Sequence, residues 1–156
     1  MQGVELFDNV HFAVSRAEAG VIDPQQRALL ESSNSALHSD RGAPLSTLRA
    51  TGVYLGAWTG EYADAVNSSP AFSSIYYLLG TGGANMAGRI SFCLDLRGPC
   101  LAVDTACSSS LVATHLAARG LQHRECEVGL TAGANIIFSA AFCARIARAG
   151  MTSPRG

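Results

Sequence analysis

The residues best equipped for chemistry lie in one run, Val103-Asp104-Thr105-Ala106-Cys107-Ser108-Ser109-Ser110-Leu111-Val112-Ala113. An apolar segment ends at a thiol, a serine-rich turn follows at once, and a helical pattern comes after it. That order predicts a strand–turn–helix elbow with Cys107 at its tip. A thiol at a helix N-terminus faces unpaired backbone N–H groups and the positive end of the helix dipole. Such surroundings favour the thiolate, the reactive form of cysteine. The competing reading is structural, because free cysteine is among the most buried residue types and behaves as a small hydrophobe. Three serines directly after the thiol argue against it: they are poor core residues and good helix starters. Asp104, three residues before the thiol, also closes an otherwise apolar strand.

The elements that must carry this elbow can be read from pattern. Residues 1–22 read as irregular, with an apolar patch at Val10 to Val14. Asp23-Pro24 is a helix start, an N-cap acceptor followed by proline in the first turn, and the helix runs to about His38. Residues 39–51, with Gly42 and Pro44, read as a loop. Gly52 to Trp58 is a short strand. Gly60 to Pro70 reads as a polar loop, Phe72 to Leu79 as an aromatic helix, and 84–95 as an apolar helix broken by Arg97-Gly98-Pro99. Leu101 to Thr105 is expected to be a buried strand and Ser108 to about Gln122 a helix. Val112, His115, Leu116, Ala118 and Leu121 recur along that helix at near-helical spacing, and its alanines permit close packing. Cys126 to Gly133 reads as a strand and Ala140 to Ala149 as a helix. Strands alternating with helices predict a layered α/β fold with parallel strands. Gly80-x-Gly82-Gly83 lacks the G-x-G-x-x-G spacing and the lysine of a phosphate loop, so it reads as a flexible lead into a helix.

Composition narrows the classes. The chain has 156 residues, enough for one modest core. It is 48% hydrophobic and only 15% charged, where a soluble domain carries about 25% charge. Low charge fits a piece whose faces are covered by other protein surface. A net charge of −1 points to neither nucleic acid nor an acidic membrane. The five cysteines (93, 100, 107, 126 and 143) show no C-x-x-C spacing, so neither a zinc site nor a disulfide framework is expected. No signal peptide or spanning helix is visible, and the default compartment is the reducing cytoplasm, with organelle targeting left open.

The segment from Gly98 to Ala113 closely resembles the active-site segment of β-ketoacyl synthases. Its nearest likeness is to the ketosynthase domain of modular polyketide synthases, with fatty-acid synthases behind. Asp23-Pro24-Gln25-Gln26-Arg27, Gly88-Arg89-Ile90-Ser91-Phe92, Asp95-Leu96-Arg97-Gly98-Pro99, Ala132-Gly133-Ala134-Asn135 and Ala149-Gly150-Met151-Thr152-Ser153-Pro154 resemble other family segments in the right order. The resemblance runs from about Phe7 to Gly156. It implies a partial thiolase-like fold, α/β/α layered, with residues 1–156 forming an interior piece of the N-terminal half. The family's first strand and its C-terminal half would lie outside the chain.

What the resemblance implies is specific. Cys107 would be the nucleophile that holds an acyl group as a thioester, and its backbone N–H an oxyanion donor. No cofactor is implied; the phosphopantetheine arm of an acyl-carrier protein would deliver the substrate. A malonyl-type extender would then condense with decarboxylation in polyketide or fatty-acid synthesis. The partners implied are acyl-carrier protein and a second copy, paired through the strand Leu101 to Thr105, with no nucleic acid and no membrane span. The glycine segment at 80–83 would lie near the acyl pocket and dimer contact. The family's two catalytic histidines belong to an H-G-T-G-T-like and a G-H-like motif, and neither is in this chain. His115 lies eight residues beyond Cys107, about 12 Å along the helix axis, too far to act as its base. His11, His38 and His123 read as surface residues. The chain is therefore expected to be inactive in condensation by itself. Departures from the family pattern are Ser33-Asn34-Ser35-Ala36-Leu37, where an aromatic residue is usual, Cys100 for serine, and Arg155 for an acidic residue. The alternatives are a non-catalytic scaffold relic, favoured by the missing histidines, and a cysteine hydrolase, for which no G-x-C-x-G elbow exists.

Overall fold

Every residue of β1 (Thr51–Ala57) is buried, and the rest of the molecule is arranged to make it so. The computed structural model describes residues 6–39, 44–58 and 61–153. β1 lies between β2 (Cys100–Val103) and β3 (Val128–Ala134) in a sheet of order β2-β1-β3. Both pairings are parallel, with Val53 opposite Cys100 on one side and Leu130 on the other. A parallel strand covered on both faces has no solvent side, hence the near-continuous apolar run of β1.

Successive β1 side chains alternate between two cores. Val53, Leu55 and Ala57 enter a larger core with Ile22, Leu29, Leu30, Met86, Ala87 and Ile90. These come mainly from α2 (Pro24–Ser39) and α6 (Gly83–Cys93). Tyr54 points the other way, to Ala113 and Ala117 of α7 (Ser109–Gln122) and to Cys126. The result is helix, sheet, helix: the layered α/β fold expected from the alternation of elements. The 16-residue α2 starts where Asp23-Pro24 predicts, with the Asp23 carboxylate accepting the Gln25 N–H at 2.8 Å.

Several local readings need correction. A short α1 (Arg16–Ala19) interrupts the expected irregular stretch, capped by Ser15, whose Oγ accepts the Glu18 N–H. α3 (Leu45–Arg49) lies inside the expected loop. The polar stretch after Gly60 is α4 (Glu61–Asn67), where Glu61 and Asp64 sit favourably in the first turn and Val66 is buried. The aromatic segment is two pieces, a 3₁₀ turn at Pro70–Ser73 and α5 (Tyr77–Thr81), broken where Ser74 is extended. The last helix, α8 (Ala140–Arg148), lies as expected. Gly42, Gly60 and the tail Pro154-Arg155-Gly156 lie outside the described residues.

Two corrections bear on the site. β2 is exposed or half-exposed along its length, not buried; it is an edge strand that pairs only with β1 among the described residues. The buried stripe of α7 is Ser109, Ala113, Ala117 and Gly120; His115 and Ala118 are exposed, and Leu121, also largely exposed, lies at the margin against Gly129 of β3. Small residues win that face because the sheet beneath also presents glycine and leaves no room for larger ones. The glycines at 80–83 are not a loose lead either. Gly80 is buried in α5, a Cβ there would lie 2.5 Å from the Val21 carbonyl oxygen, and the Gly80 carbonyl accepts the Asp23 N–H and the Gln26 side chain. Arg89 completes the joint, donating to Gln26 at 2.7 Å and pairing with Glu18 at 2.6 Å. Phe92, Ile75, Leu111 and Leu78 are more than 70% exposed, which is how the low charge content shows on the surface.

A Cβ at Gly120 would strike the Tyr54 hydroxyl and lie 3.1 Å from Tyr54 Cζ. Tyr54 is itself pinned by the Cys126 thiol at 3.7 Å, and burial followed by Cys126 pushes its pKa up to about 12. Gly120→Ala is expected to destabilise the chain by about 1–3 kcal/mol in urea unfolding, although alanine is the better helix former; a gain in stability would show that α7 is not seated on Tyr54. Burial also raises the Asp23 carboxyl above its ordinary range, against opposing contributions from Gln25 and Arg27. A raised folded-state pKa means the folded chain binds the proton more readily. Between the ordinary and the raised value, stability therefore falls as pH rises, and the penalty persists above both. Asp23→Asn keeps a capping acceptor without the charge. The urea midpoint of Asp23→Asn minus that of the unaltered chain should become more positive from pH 4 to pH 7; a difference flat with pH refutes the burial penalty.

Candidate active site

β2 ends at Val103, a single 3₁₀ turn spans Ala106–Ser108, and α7 begins at Ser109. Cys107 is in the middle of that turn, exposed, between strand and helix. The turn is unusual at Ala106, whose φ is +53°. A non-glycine residue in the left-handed region costs roughly 1–2 kcal/mol, so neighbours must hold it there. The Asp104 carboxylate accepts the Ala106 N–H at 3.0 Å. The Ser109 hydroxyl accepts the Thr105 N–H at 2.8 Å and donates to the Ala106 carbonyl at 2.7 Å. The Ser108 hydroxyl lies 2.8 Å from the Thr105 carbonyl and 2.9 Å from its Oγ1. The Cys107 N–H makes no hydrogen bond among the described residues, which leaves a donor beside the thiol.

Cys107 opens on a cleft of about 290 Å³ lined by Gly56, Trp58, Ala106, Ser109, Ser110, Gly133, Ala134 and Asn135. These residues come from the C-terminal ends of β1 and β3 and the turn after β2, where open parallel sheets bind ligands. Glycine is required at two of them. A Cβ at Gly56 would lie 2.5 Å from the Ser110 nitrogen, and one at Gly133 would strike the Ser110 hydroxyl. Among the described residues the lining carries no charged side chain and no histidine. His115 is exposed on α7; His11 and His38 lie by Asn34, and His123 by Arg119.

The loop after β3 closes one side of the cleft and is tied down by its backbone. Gln25 accepts the Ile136 N–H at 3.0 Å, and Glu61 accepts the Phe138 N–H at 2.8 Å. Ser139 then caps α8, and Phe142 meets Trp58 edge-on with centroids 5.4 Å apart. A second hollow of about 330 Å³ lies alongside, sharing Trp58 and Asn135 and walled by Phe138, Phe142, Glu61 and Arg145. Sequence reading attached no role to Trp58, Gln25 or Glu61, and took Ser109 only as a helix starter. Gln25 and Asn135 at least stood in family-like motifs; nothing local marked Trp58 or Glu61, whose partners are far along the chain.

All five cysteines are free thiols. Partial desolvation raises the Cys93 and Cys100 thiols above their ordinary range. Among the described residues no group of three or more His, Cys, Asp or Glu could hold a metal ion, and no helix is long and apolar enough to cross a membrane.

Comparison with known proteins agrees with this geometry. The family model described as Beta-ketoacyl synthase, N-terminal domain, matches residues 1–156. The chain is 44% identical over 157 residues to a phenolphthiocerol/phthiocerol polyketide synthase of Mycobacterium tuberculosis, taking in 98% of the chain and 8% of that protein. It is 38% identical over 157 residues to the highly reducing polyketide synthase dmxL2 of Cryptosporiopsis sp., covering 99% of the chain and 6% of that protein. The ketosynthase from module 6 of the bacillaene synthase from Bacillus subtilis 168 shares its fold with a TM-score of 0.83 and 35% identity, over 100% of this chain and 26% of that one. The chain thus spans less than a tenth of these synthases and about a quarter of the solved ketosynthase.

The contact between Gly56 and the start of α7 is open to test. Gly56→Ala should push the elbow away from β1, lower stability by about 1–3 kcal/mol, and change the iodoacetamide reactivity of Cys107 while leaving exposed Cys143 unchanged. Equal reactivity of Cys107 in both proteins would show that the elbow does not rest on β1. A Cys107 elbow at the strand ends, a thiolase-like layering and a family match along the whole chain lead to one assignment: the chain belongs to the β-ketoacyl synthase family, matching its N-terminal domain.

Proposed function

We propose that this chain is the acyl-loading portion of a polyketide-type ketosynthase, with Cys107 as the nucleophile. The observation that carries the reading is the elbow itself: an exposed thiol on a left-handed turn, with its own amide N–H unspent among the described residues, at the mouth of a cleft at the strand ends. In the loading step the Cys107 thiolate attacks the carbonyl carbon of an acyl thioester on the phosphopantetheine arm of an acyl-carrier protein. The Cys107 N–H donates to the oxyanion that forms; such a donor supplies about 2.7–4 kcal/mol of transition-state stabilisation. The carbonyl re-forms, the C–S bond to the arm breaks, and the arm leaves as a thiolate that takes up a proton. The acyl group stays on Cys107 as a thioester, dividing one hard reaction into two easier ones.

In the condensation step a malonyl-type extender loses carbon dioxide, and the resulting carbanion attacks the acyl carbonyl. A carbon–carbon bond forms and the Cys107 thiolate leaves. That step calls on histidines, and none lines the Cys107 cleft. The chain alone is accordingly a loader and not a condenser. The unpaired edge of β2 supports a second copy as partner, joined along the strand read as Leu101 to Thr105; Leu101 is 43% exposed there. Free thiols throughout suit a reducing cytoplasm.

Incubation with butanoyl-acyl-carrier protein, read by peptide mass spectrometry, tests the loading. One butanoyl group is expected on the Cys107 peptide and none in Cys107→Ala, with no β-ketoacyl product after malonyl-acyl-carrier protein is added. Acylation spread equally over Cys107 and Cys143 would overturn the nucleophile assignment. A β-ketoacyl product would overturn the loader-only reading.

A further inference from the structure

We infer that Ser109 is a positioning residue for Cys107: its hydroxyl locks the left-handed turn that presents the thiol and its amide. The inference rests on the reading of Cys107 as the acyl acceptor and adds a residue to it. Ser109 is the first residue of α7 and is 5% exposed, so its hydroxyl has little access to water and must find protein partners. It has two, and they bracket the strained residue. The hydroxyl accepts the Thr105 N–H at 2.8 Å, on one side of Ala106, and donates to the Ala106 carbonyl at 2.7 Å, on the other. A single side chain thus closes a ring around the peptide units that fix φ of Ala106 at +53°.

The bridge is anchored to β1, the central strand, which is buried along its whole length. The Ser109 backbone lies so close to β1 that a Cβ on Gly56 would reach 2.6 Å from the Ser109 carbonyl oxygen. Ser109 therefore cannot drift, and it transmits the position of the central strand to the elbow. Asp104 assists from the exposed side through the Ala106 N–H, but a water-facing carboxylate can exchange its partner for solvent while the buried hydroxyl cannot. The consequence falls on Cys107, whose N–H must aim at the developing oxyanion. Displacement of a reacting group by about 1 Å costs up to 100-fold in rate.

The test uses the unaltered chain, Ser109→Ala, Ser109→Thr and the double variant Ser109→Ala/Ala106→Gly. Each is incubated with the butanoyl thioester of N-acetylcysteamine and, separately, with iodoacetamide, and the modified peptides are quantified. Ser109→Ala should acylate Cys107 at least about tenfold more slowly, with Cys143 alkylation unchanged. Ser109→Thr restores the hydroxyl and should recover the rate. The double variant removes the steric cost of the left-handed turn and should recover part of it, which a merely structural role for Ser109 would not give. A wild-type acylation rate in Ser109→Ala overturns the inference, as does a loss that neither rescue reduces. If the unaltered chain alkylates at Cys107 but takes no acyl group, the nucleophile reading fails instead. Ser109 is then judged on the ratio of Cys107 to Cys143 alkylation across the same variants, and an unchanged ratio overturns it.

Discussion

The closeness of α7 to the sheet is the constraint from which the rest follows. Gly56 and Gly133 leave room for the backbone and side chain of Ser109 and Ser110, and Gly120 leaves room for the Tyr54 ring. Close-packed interiors transmit small displacements because there is no slack to absorb them. The first turn of α7 therefore takes its position from β1 and β3, and the thiol just before it takes its position from α7. A thicker contact would be more hydrophobic but would lift the elbow off the strand ends.

The opposite face of the sheet does different work. There the side chains are large, Leu55 and Leu30 among them, and burial of α2 and α6 supplies most of the apolar stabilisation. The same face also steers the site by hydrogen bonds. Gln25, at the start of α2, reaches the Ile136 amide, and Glu61 of α4 reaches the Phe138 amide. Two side chains from separate helices thus hold the backbone of the loop beyond β3, and that loop brings Asn135 to the wall of the cleft. Arg89, Glu18 and Gln26 tie α1, α2, α5 and α6 into one unit on this side.

Chemistry in such a site is a matter of geometry more than of charge. Among the described residues the cleft at Cys107 is lined by no Asp, Glu, Lys, Arg or His. What it offers is a thiol, an adjacent free amide and a strained turn kept in place by a buried hydroxyl. Strain held by surrounding structure recurs at functional sites, where it fixes a reactive group in one orientation. In this chain a serine of the helix start both begins α7 and holds the turn that precedes it.

The strand at residues 51–57, the long helix opened by Asp23-Pro24 and the thiol between strand and helix were legible because each depends on neighbours in sequence: alternation, capping and turn chemistry. The Cys107 motif was legible for the same reason. The short helices at residues 45–49 and 61–67 were not, because so few turns leave little periodicity to read, and Val66 gains its anchor only from the fold. The exposure of β2 and the buried stripe of α7 were misjudged because apolar content tells what can be buried, not what lies opposite. Trp58 and Glu61 became site residues only when strand ends and loops distant in the chain met. Local composition therefore determined the longer elements and the place of the thiol between strand and helix, while tertiary packing decided which faces touch, because contact between distant segments is set by the room that facing residues leave each other.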